Sequence, residues 1–184
     1  MKKLLMIMVL MCISVLAVGC SNVKTYGPYQ GKVIDAETKA PLEGAAVLVV
    51  FYANEPGPAG SISHFADALE TVTDKNGEFR IPENKVVPEK KRYFLGSHGY
   101  FTIFKPEYGC YPNHKDVKPM FVPNGMLPPK EPVIIELPRL TAKDERLENQ
   151  RCEPTLIPKS KYKRFLIIIN NERKNLGLDP EPIE

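Results

Sequence analysis

The sequence predicts a mainly β protein, a β-sandwich with a helical C-terminal extension. Short runs of β-branched and aromatic residues, separated by turns that contain glycine or proline, recur through the middle of the chain. Asn76-Gly77 lies between two of these runs, and this dipeptide accepts the positive φ angles of a tight turn at low cost. Towards the C-terminus the apolar residues follow a helical rather than an alternating spacing. The chain therefore divides into a β domain over residues 29–140 and a helical extension over residues 141–184.

The first residues predict a secretory signal peptide. Lys2 and Lys3 are followed by an apolar run over residues 4–18, which is about fifteen residues long. A helix that spans a membrane needs about twenty apolar residues, so a signal-anchor is the weaker alternative. We therefore assign residues 1–19 to a signal peptide and residues 20–28 to a short tether.

The end of the signal, Ala17-Val18-Gly19-Cys20, resembles the lipobox of bacterial lipoproteins. The resemblance implies cleavage between Gly19 and Cys20, a diacylglycerol on the Cys20 thiol and acylation of the freed amine. Ala17 departs mildly from the family, which prefers Leu there, and an ordinary signal with a chance cysteine is the alternative. An Asp after the cysteine often marks the inner membrane in these families, so Ser21 favours the outer membrane of a Gram-negative host. The predicted location is extracytoplasmic and faces the periplasm, with the membrane as a partner through the lipid.

The mature chain is small and close to neutral. Removal of residues 1–19 leaves 165 of the 184 residues, and the loss of Lys2 and Lys3 lowers the side-chain net charge from +3 to +1. A charge so close to zero gives no electrostatic basis for binding nucleic acid. The length suits one domain with a core large enough to fold alone.

Two cysteines remain for structural roles in the mature chain. Cys12 leaves with the signal and Cys20 carries the predicted lipid, so Cys110 and Cys152 are left. In an oxidising compartment such a pair most often forms a disulfide, which typically contributes about 2–4 kcal/mol. Two unpaired thiols are the alternative, and a metal pair is disfavoured because no Cys-x-x-Cys spacing occurs.

The predicted strands begin with Tyr29–Asp35, whose side chains alternate between two faces. Residues 37–44 contain a proline and a glycine and predict a turn. The run over residues 45–53 is apolar throughout, which is typical of a central strand buried on both faces. Residues 54–63 hold two prolines and two glycines and predict a loop.

A hairpin is predicted next, with residues 66–73 and 78–81 as its strands and residues 74–77 as its turn. Aromatic stretches around two glycines predict two further strands, over residues 93–97 and 100–104. Alternating aromatic side chains in strands more often form core than an exposed platform for sugars. The aromatic residues concerned are Tyr93, Phe94, Tyr100, Phe101, Phe104, Tyr108 and Tyr111.

Residues 106–132 contain seven prolines and predict a long irregular loop, because proline cannot donate to a sheet ladder. The last strand is predicted over residues 133–137. The charged segment over residues 141–150 predicts a short helix with Thr141 as its cap.

The clearest predicted helix covers residues 159–176 and is ended by Gly177 and Pro180. In the favoured interpretation its apolar face packs on the sandwich, whereas in the alternative its basic face meets lipid head groups. The apolar residues at helical spacing are Tyr162, Phe165, Leu166, Ile169 and Leu176.

Three stretches together resemble the carboxypeptidase regulatory-like domain. They are Gly31-Lys-Val-Ile-Asp35, Thr38-Lys-Ala-Pro-Leu-Glu-Gly-Ala45 and Thr73-Asp-Lys-Asn-Gly-Glu-Phe-Arg-Ile81, and their order and spacing match the family pattern over about residues 29–105. The resemblance implies a transthyretin-like Greek-key β-sandwich. It also implies a non-catalytic module, like those that accompany metallocarboxypeptidases and outer-membrane receptors. The motif residues are structural in this interpretation, and they are Gly31, Gly44, Asp74, Gly77 and Phe79.

The sequence contains no recognisable catalytic site. No nucleophile elbow, His-Glu-x-x-His helix or phosphate-binding loop occurs, so we predict a protein without enzymatic activity or cofactor. His64, His98 and His114 are the candidates for a metal site, together with Glu107 or Cys110 if the loops converge. Their spacing matches no standard motif, and scattered surface histidines are the favoured interpretation.

The combined observations predict a non-catalytic, lipid-anchored protein of the cell envelope. Its sandwich would serve as a binding or scaffolding module for a protein or glycan partner. The alternative is a lipoprotein that binds a metal or a small ligand through His64, His98, His114 and the Pro-rich loop.

Overall fold

Strands dominate the computed structural model, which describes residues 22–58, 60–119, 125–154 and 156–183. The predicted signal peptide and Cys20 lie outside the described residues. The strands are β1 (Lys24–Tyr26), β2 (Tyr29–Asp35), β3 (Ala46–Gly57), β4 (Gly60–Val72), β5 (Glu78–Ile81), β6 (Asn84–Val86), β7 (Phe94–Leu95), β8 (Tyr100–Phe104) and β9 (Pro132–Leu137). The α-helices are α1 (Lys143–Glu148) and α2 (Lys163–Leu176).

Two sheets pack face to face and form the predicted sandwich. In the small sheet, β2 lies between β5, which is antiparallel to it, and β9, which is parallel to it. In the large sheet, β3 lies between β4 on one side and β7 and β8 on the other. A separate ribbon of β1 and β6 closes one end of the space between the sheets.

The central strand β3 is buried on both faces, as its unbroken apolar run predicts. Val47, Val49 and Phe51 point into the core between the two sheets. Leu48 and Val50 point the other way, into a second core under the helical extension. Because strand side chains alternate, one strand serves two cores only if every residue is apolar.

Helix α2 packs on the outer face of the large sheet, which confirms the favoured interpretation of its apolar face. Phe165, Leu166 and Ile169 are fully buried in the second core. The Glu70 carboxylate, on β4, accepts hydrogen bonds from the Arg164 and Phe165 amides at 3.0 Å each. A strand residue thus satisfies two of the helix's orphan N–H groups.

A disulfide fastens the helical extension to the β domain, and a buried ion pair holds its two helices together. Cys110 and Cys152 are bonded, with their Cα atoms 6.2 Å apart, which confirms the predicted pairing. The bond joins the Pro-rich loop to the segment that follows α1. Buried Glu172, on α2, accepts hydrogen bonds from Arg146 Nε at 2.7 Å and Nη2 at 2.9 Å. The two contacts fix α1 and the Pro-rich loop against α2.

The predicted loop over residues 54–63 is wrong, because β3 and β4 continue as a two-stranded arm to Gly57 and Gly60. Pro56 lies one residue before the end of β3, where a missing N–H costs little of the ladder. A cross-strand hydrogen bond from Ser63 Oγ to Asn54 Oδ1, 2.9 Å long, helps to hold the arm.

The predicted hairpin is also wrong, since β4 pairs with β3 and β5 pairs with β2. The turn itself forms as expected, and Asp74 Oδ1 accepts the Asn76 and Glu78 amides at 2.9 Å each. It carries the chain from the large sheet to the small one. Phe79 and Ile81 are buried between the sheets because β5 lies beside β2. The burial of these two side chains therefore outweighs the pairing of neighbouring strands that a hairpin would give.

Three smaller predictions are corrected by tertiary contacts. The tether contains β1, which pairs with β6. The strand expected over residues 93–97 is limited to β7; the Gly96 amide still donates to the Tyr52 carbonyl of β3 at 2.9 Å, but the Gly96 carbonyl accepts from the Tyr26 hydroxyl of β1 at 2.6 Å. Helix α1 begins at Lys143 with Ala142 at its cap position, so Thr141 is not the cap.

Gly77 is the turn residue whose replacement should be costly. Its φ of 73° is strained for other residues, and an added Cβ would overlap the Val33 carbonyl oxygen. We expect Gly77→Ala to lower the free energy of unfolding by about 2–3 kcal/mol in urea titration. The control is Gly177→Ala, which has a φ of 80° but open space around it, and should cost only about 1 kcal/mol. Equal losses would contradict the role of the Val33 contact.

Candidate functional site

Helix α2 leaves part of the large sheet's outer face uncovered, and aromatic side chains occupy that part. Val50 and Tyr52 point outwards on β3, and residues opposite each other on neighbouring strands share a face. Phe65 lies opposite Tyr52, Tyr100 opposite Val50, and Phe94 opposite Asn54. We call the set formed by Tyr52, Phe65, Phe94 and Tyr100 the aromatic face.

The aromatic face combines buried support with exposed rings. Tyr52 and Phe65 are partly buried and pack against the second core. The Tyr52 and Tyr100 rings meet edge to face, with their centroids 5.5 Å apart. Burial, with Tyr100 nearby, raises the pKa of Tyr52 above its ordinary value, so the Tyr52 ring stays neutral near neutral pH. Phe94 is 59% exposed and Tyr100 is 38% exposed, which leaves ring area free for a partner.

Polar groups border these rings. Asn54 lies between Ser63 and Phe94 in one row across three strands. The Ser63 hydroxyl donates to the Asn54 side-chain oxygen and so fixes the orientation of the amide. Apolar ring surface beside fixed hydrogen-bonding groups is the usual composition of a recognition surface for a sugar ring or a partner side chain.

An interrupted strand supplies the two exposed rings. β7 and β8 pair in succession with the same edge of β3, and residues 96–99 bend away between them. Gly99 permits this bend because an added Cβ would lie 2.8 Å from the Phe51 ring. The segment therefore returns to β3 at Tyr100 with that ring on the outer face.

Most of the aromatic residues that the sequence analysis singled out belong to the core, as predicted. Tyr93, Phe101, Phe104 and Tyr111 are buried. Sequence reasoning missed Tyr52 and Phe65 as site residues. Tyr52 ends an unbroken apolar run, which gives no alternation to separate the exposed face from the buried one, and Phe65 adjoins a segment expected to be a loop.

The three histidines occupy separate local environments. His64 Nε2 lies 2.9 Å from Glu55 Oε2, and its ring stacks on Tyr93 at a centroid distance of 4.5 Å. His98 contacts the neighbouring Ser97 hydroxyl. His114 Nδ1 accepts the Asp116 amide at 3.2 Å.

The residues suggested to complete a metal site are engaged elsewhere. Cys110 is in the disulfide, and Glu107 contacts Arg139 and Arg146. Within residues 22–58, 60–119, 125–154 and 156–183, no three or more His, Cys, Asp and Glu side chains are grouped so that they could hold a metal ion.

The motif residues lie at turns and close contacts. Gly31 allows the Phe79 ring to pass within 2.8 Å of the position that a Cβ would take. Gly44 and Gly77 have φ angles of 72° and 73° in turns, and Asp74 organises the second of these turns. All are remote from the aromatic face in the sheet register.

In the part of the chain that the structure describes, no helix is long and apolar enough to cross a bilayer.

Comparisons with known proteins give no family for this chain. No protein-family model matches the chain, and neither does any curated protein. Among solved structures, a 9R-lipoxygenase from Cyanothece PCC8801 is similar at 13% identity with a TM-score of 0.23. The likeness covers 50% of this chain, which spans 12% of the lipoxygenase chain, and at that score it carries no argument about fold or activity.

Proposed function

We propose that the protein is a non-catalytic, lipid-anchored module of the bacterial cell envelope that binds a glycan or protein partner through the aromatic face. The lipid is carried by Cys20, and the domain faces the periplasm from the outer membrane. The observation that carries the binding role is the exposure of Phe94 and Tyr100 beside the supported ring of Tyr52. Soluble proteins seldom keep a row of aromatic rings exposed without a partner.

Two features support the envelope location. The lipobox-like sequence directly follows an apolar run of signal length. The disulfide between Cys110 and Cys152 suits an oxidising compartment, since such bonds are rare where thiols are kept reduced.

The proposal includes a carboxypeptidase regulatory-like sandwich as the scaffold. Its support is the agreement between the motif residues and their positions at turns and close contacts, together with the two-sheet architecture. In this proposal the sandwich holds the aromatic face rigid and has no chemistry of its own.

Removal of the Tyr52 and Tyr100 rings should abolish most of the binding. We expect Tyr52→Ala/Tyr100→Ala to weaken capture of the partner about 30-fold, because central aromatic residues of an interface typically contribute about 2 kcal/mol or more. Immobilised wild type and variant are each exposed to protein-free envelope glycan and to envelope protein extract under mild crosslinking. The first sample reports a glycan partner and the second a protein partner.

The matched control is Ile134→Ala, which removes an exposed apolar side chain from the small sheet. It should leave capture unchanged. Equal capture by the tyrosine variant and the wild type, with both folded, would refute the assignment of the aromatic face.

A further inference from the structure

The folded domain begins very close to the proposed lipid. The Asn22 side chain donates to the Tyr93 carbonyl at 3.1 Å and also to the Lys91 carbonyl, and β1 starts two residues later. Asn22 follows Cys20 by two residues, and two residues of extended chain reach at most about 7 Å. A lipid on Cys20 would therefore hold the surface around Asn22 next to the bilayer, because only Ser21 separates the two residues in the sequence.

That surface has the composition of a membrane contact. Val87 is 61% exposed and directly follows Val86, the β6 partner of Lys24 in β1. After Pro88 and Glu89, the chain continues with Lys90, Lys91 and Arg92, which are all exposed.

The net charge of the side chains around Asn22 is positive. Arg92 is paired with Glu55, which leaves Lys90 and Lys91 as the cations most available to a ligand. The Lys90 ammonium lies 5.4 Å from the centre of the Tyr93 ring, so the side chain lies along the same surface. The charged side chains at this end are Lys24, Lys85, Lys90, Lys91 and Arg92 against Glu55, Glu83 and Glu89, a balance of +2, and Asp67, which accepts a hydrogen bond from Asn84 of β6, is paired with Lys161.

A second basic, partly apolar surface belongs to α2, which packs on the face of the large sheet opposite to β1. Lys163 and Arg164 are exposed on this helix beside Ile167, which is 48% exposed. Helix α2 covers the outer face of the large sheet. β1 lies on the inner side, where the Tyr26 ring is 4.4 Å from the Phe51 ring. The large sheet therefore separates the anchor from the α2 surface.

We infer that the domain rests on the bilayer by this anchored end, with Val87 in the interfacial region and Lys90 and Lys91 against anionic head groups. The inference rests on the proposed lipid at Cys20. Each cation near an anionic membrane surface favours contact roughly fivefold. The lipid holds the surface at high effective concentration, so even a weak contact is populated.

A single tryptophan tests the orientation, because the chain contains none. Val87→Trp and Ile167→Trp are purified as full mature chains from membranes, and the mass of the N-terminal peptide reports the lipid. Each is reconstituted into vesicles of brominated phosphatidylcholine, with and without brominated phosphatidylglycerol. We expect the Val87→Trp emission to shift to shorter wavelength and to be quenched in the anionic vesicles, and the Ile167→Trp emission to do neither.

Charge removal tests the lipid preference. In the Val87→Trp chain, Lys90→Gln/Lys91→Gln should reduce the preference for anionic vesicles roughly 30-fold. Each lysine contributes a factor of roughly five, and the two factors multiply. Lys163→Gln/Arg164→Gln removes the same charge from α2 and should change nothing. A lipidated Val87→Trp chain that is not quenched, or a more strongly quenched Ile167→Trp chain, would overturn the inference while the anchor stands. A chain without lipid would instead overturn the anchor, and the inference with it.

Discussion

Replacing Cys20 by Ala should move the protein out of the membrane fraction or leave its signal peptide uncleaved. Two or three acyl chains on one cysteine hold a protein durably, because each buried methylene contributes about 0.8 kcal/mol. Membrane fractionation and the mass of the N-terminal peptide measure the outcome, and the expected change is nearly complete.

Cys12→Ala is the matched control, since Cys12 lies in the predicted signal and leaves with it. It should not alter fractionation or the mass of the mature chain. Cys20→Ala protein that is cleaved after Gly19 and still sediments with membranes would rule out the lipid anchor.

Phe165→Ala should produce the largest loss of stability, about 4 kcal/mol, because a fully buried phenyl ring leaves a cavity that the surroundings fill only in part. Phe165 contacts Phe104 and Tyr162, with ring centroids 5.9 Å and 6.3 Å away. These contacts connect α2 to β8 and to the start of the helix itself. Urea unfolding of the oxidised protein measures the change in the free energy of unfolding.

Ile167→Ala provides the comparison on the same helix, because Ile167 is exposed. It should change the free energy of unfolding by less than about 0.5 kcal/mol. Similar losses in the two variants would mean that the second core contributes little to stability.

The sequence predicts those elements whose local pattern agrees with their burial. β2, β9 and α2 follow their alternating or helical spacing, and β3 follows its unbroken apolar run. The pairing of Cys110 with Cys152 follows from the small number of cysteines left in the mature chain. In these elements, the local sequence and the surrounding structure favour the same conformation.

Elements decided by distant contacts could not be predicted. The same Asp74–Gly77 turn suits a hairpin or a passage between sheets, and only the burial of Phe79 beside β2 selects the passage. The tip of the β3–β4 arm contains glycines and prolines that usually mark a loop. β1 is three residues long and becomes a strand through β6, which lies far away in the chain.

The aromatic face could not be predicted from the sequence for the same reason. The density of aromatic residues around Tyr100 is visible in the sequence, but their division between core and surface depends on strand register. Phe94 and Tyr93 are neighbours, yet Phe94 is exposed while Tyr93 is buried under His64. The other two members of the aromatic face, Tyr52 and Phe65, could not be identified from the sequence. Tyr52 lies in an unbroken apolar run, and Phe65 lies beside a segment that was predicted to be a loop.

The contact of Glu70 with the start of α2 has a consequence for the order of maturation. An isolated helix of this length is marginal in water, and here its first amides depend on a carboxylate 94 residues earlier in the chain. We therefore expect the helix to form once the sheet exists, and until then Leu48 and Val50 would be an exposed apolar strip. A chain without α2 would keep that strip uncovered, so it would expose to other proteins an apolar surface that the folded domain buries.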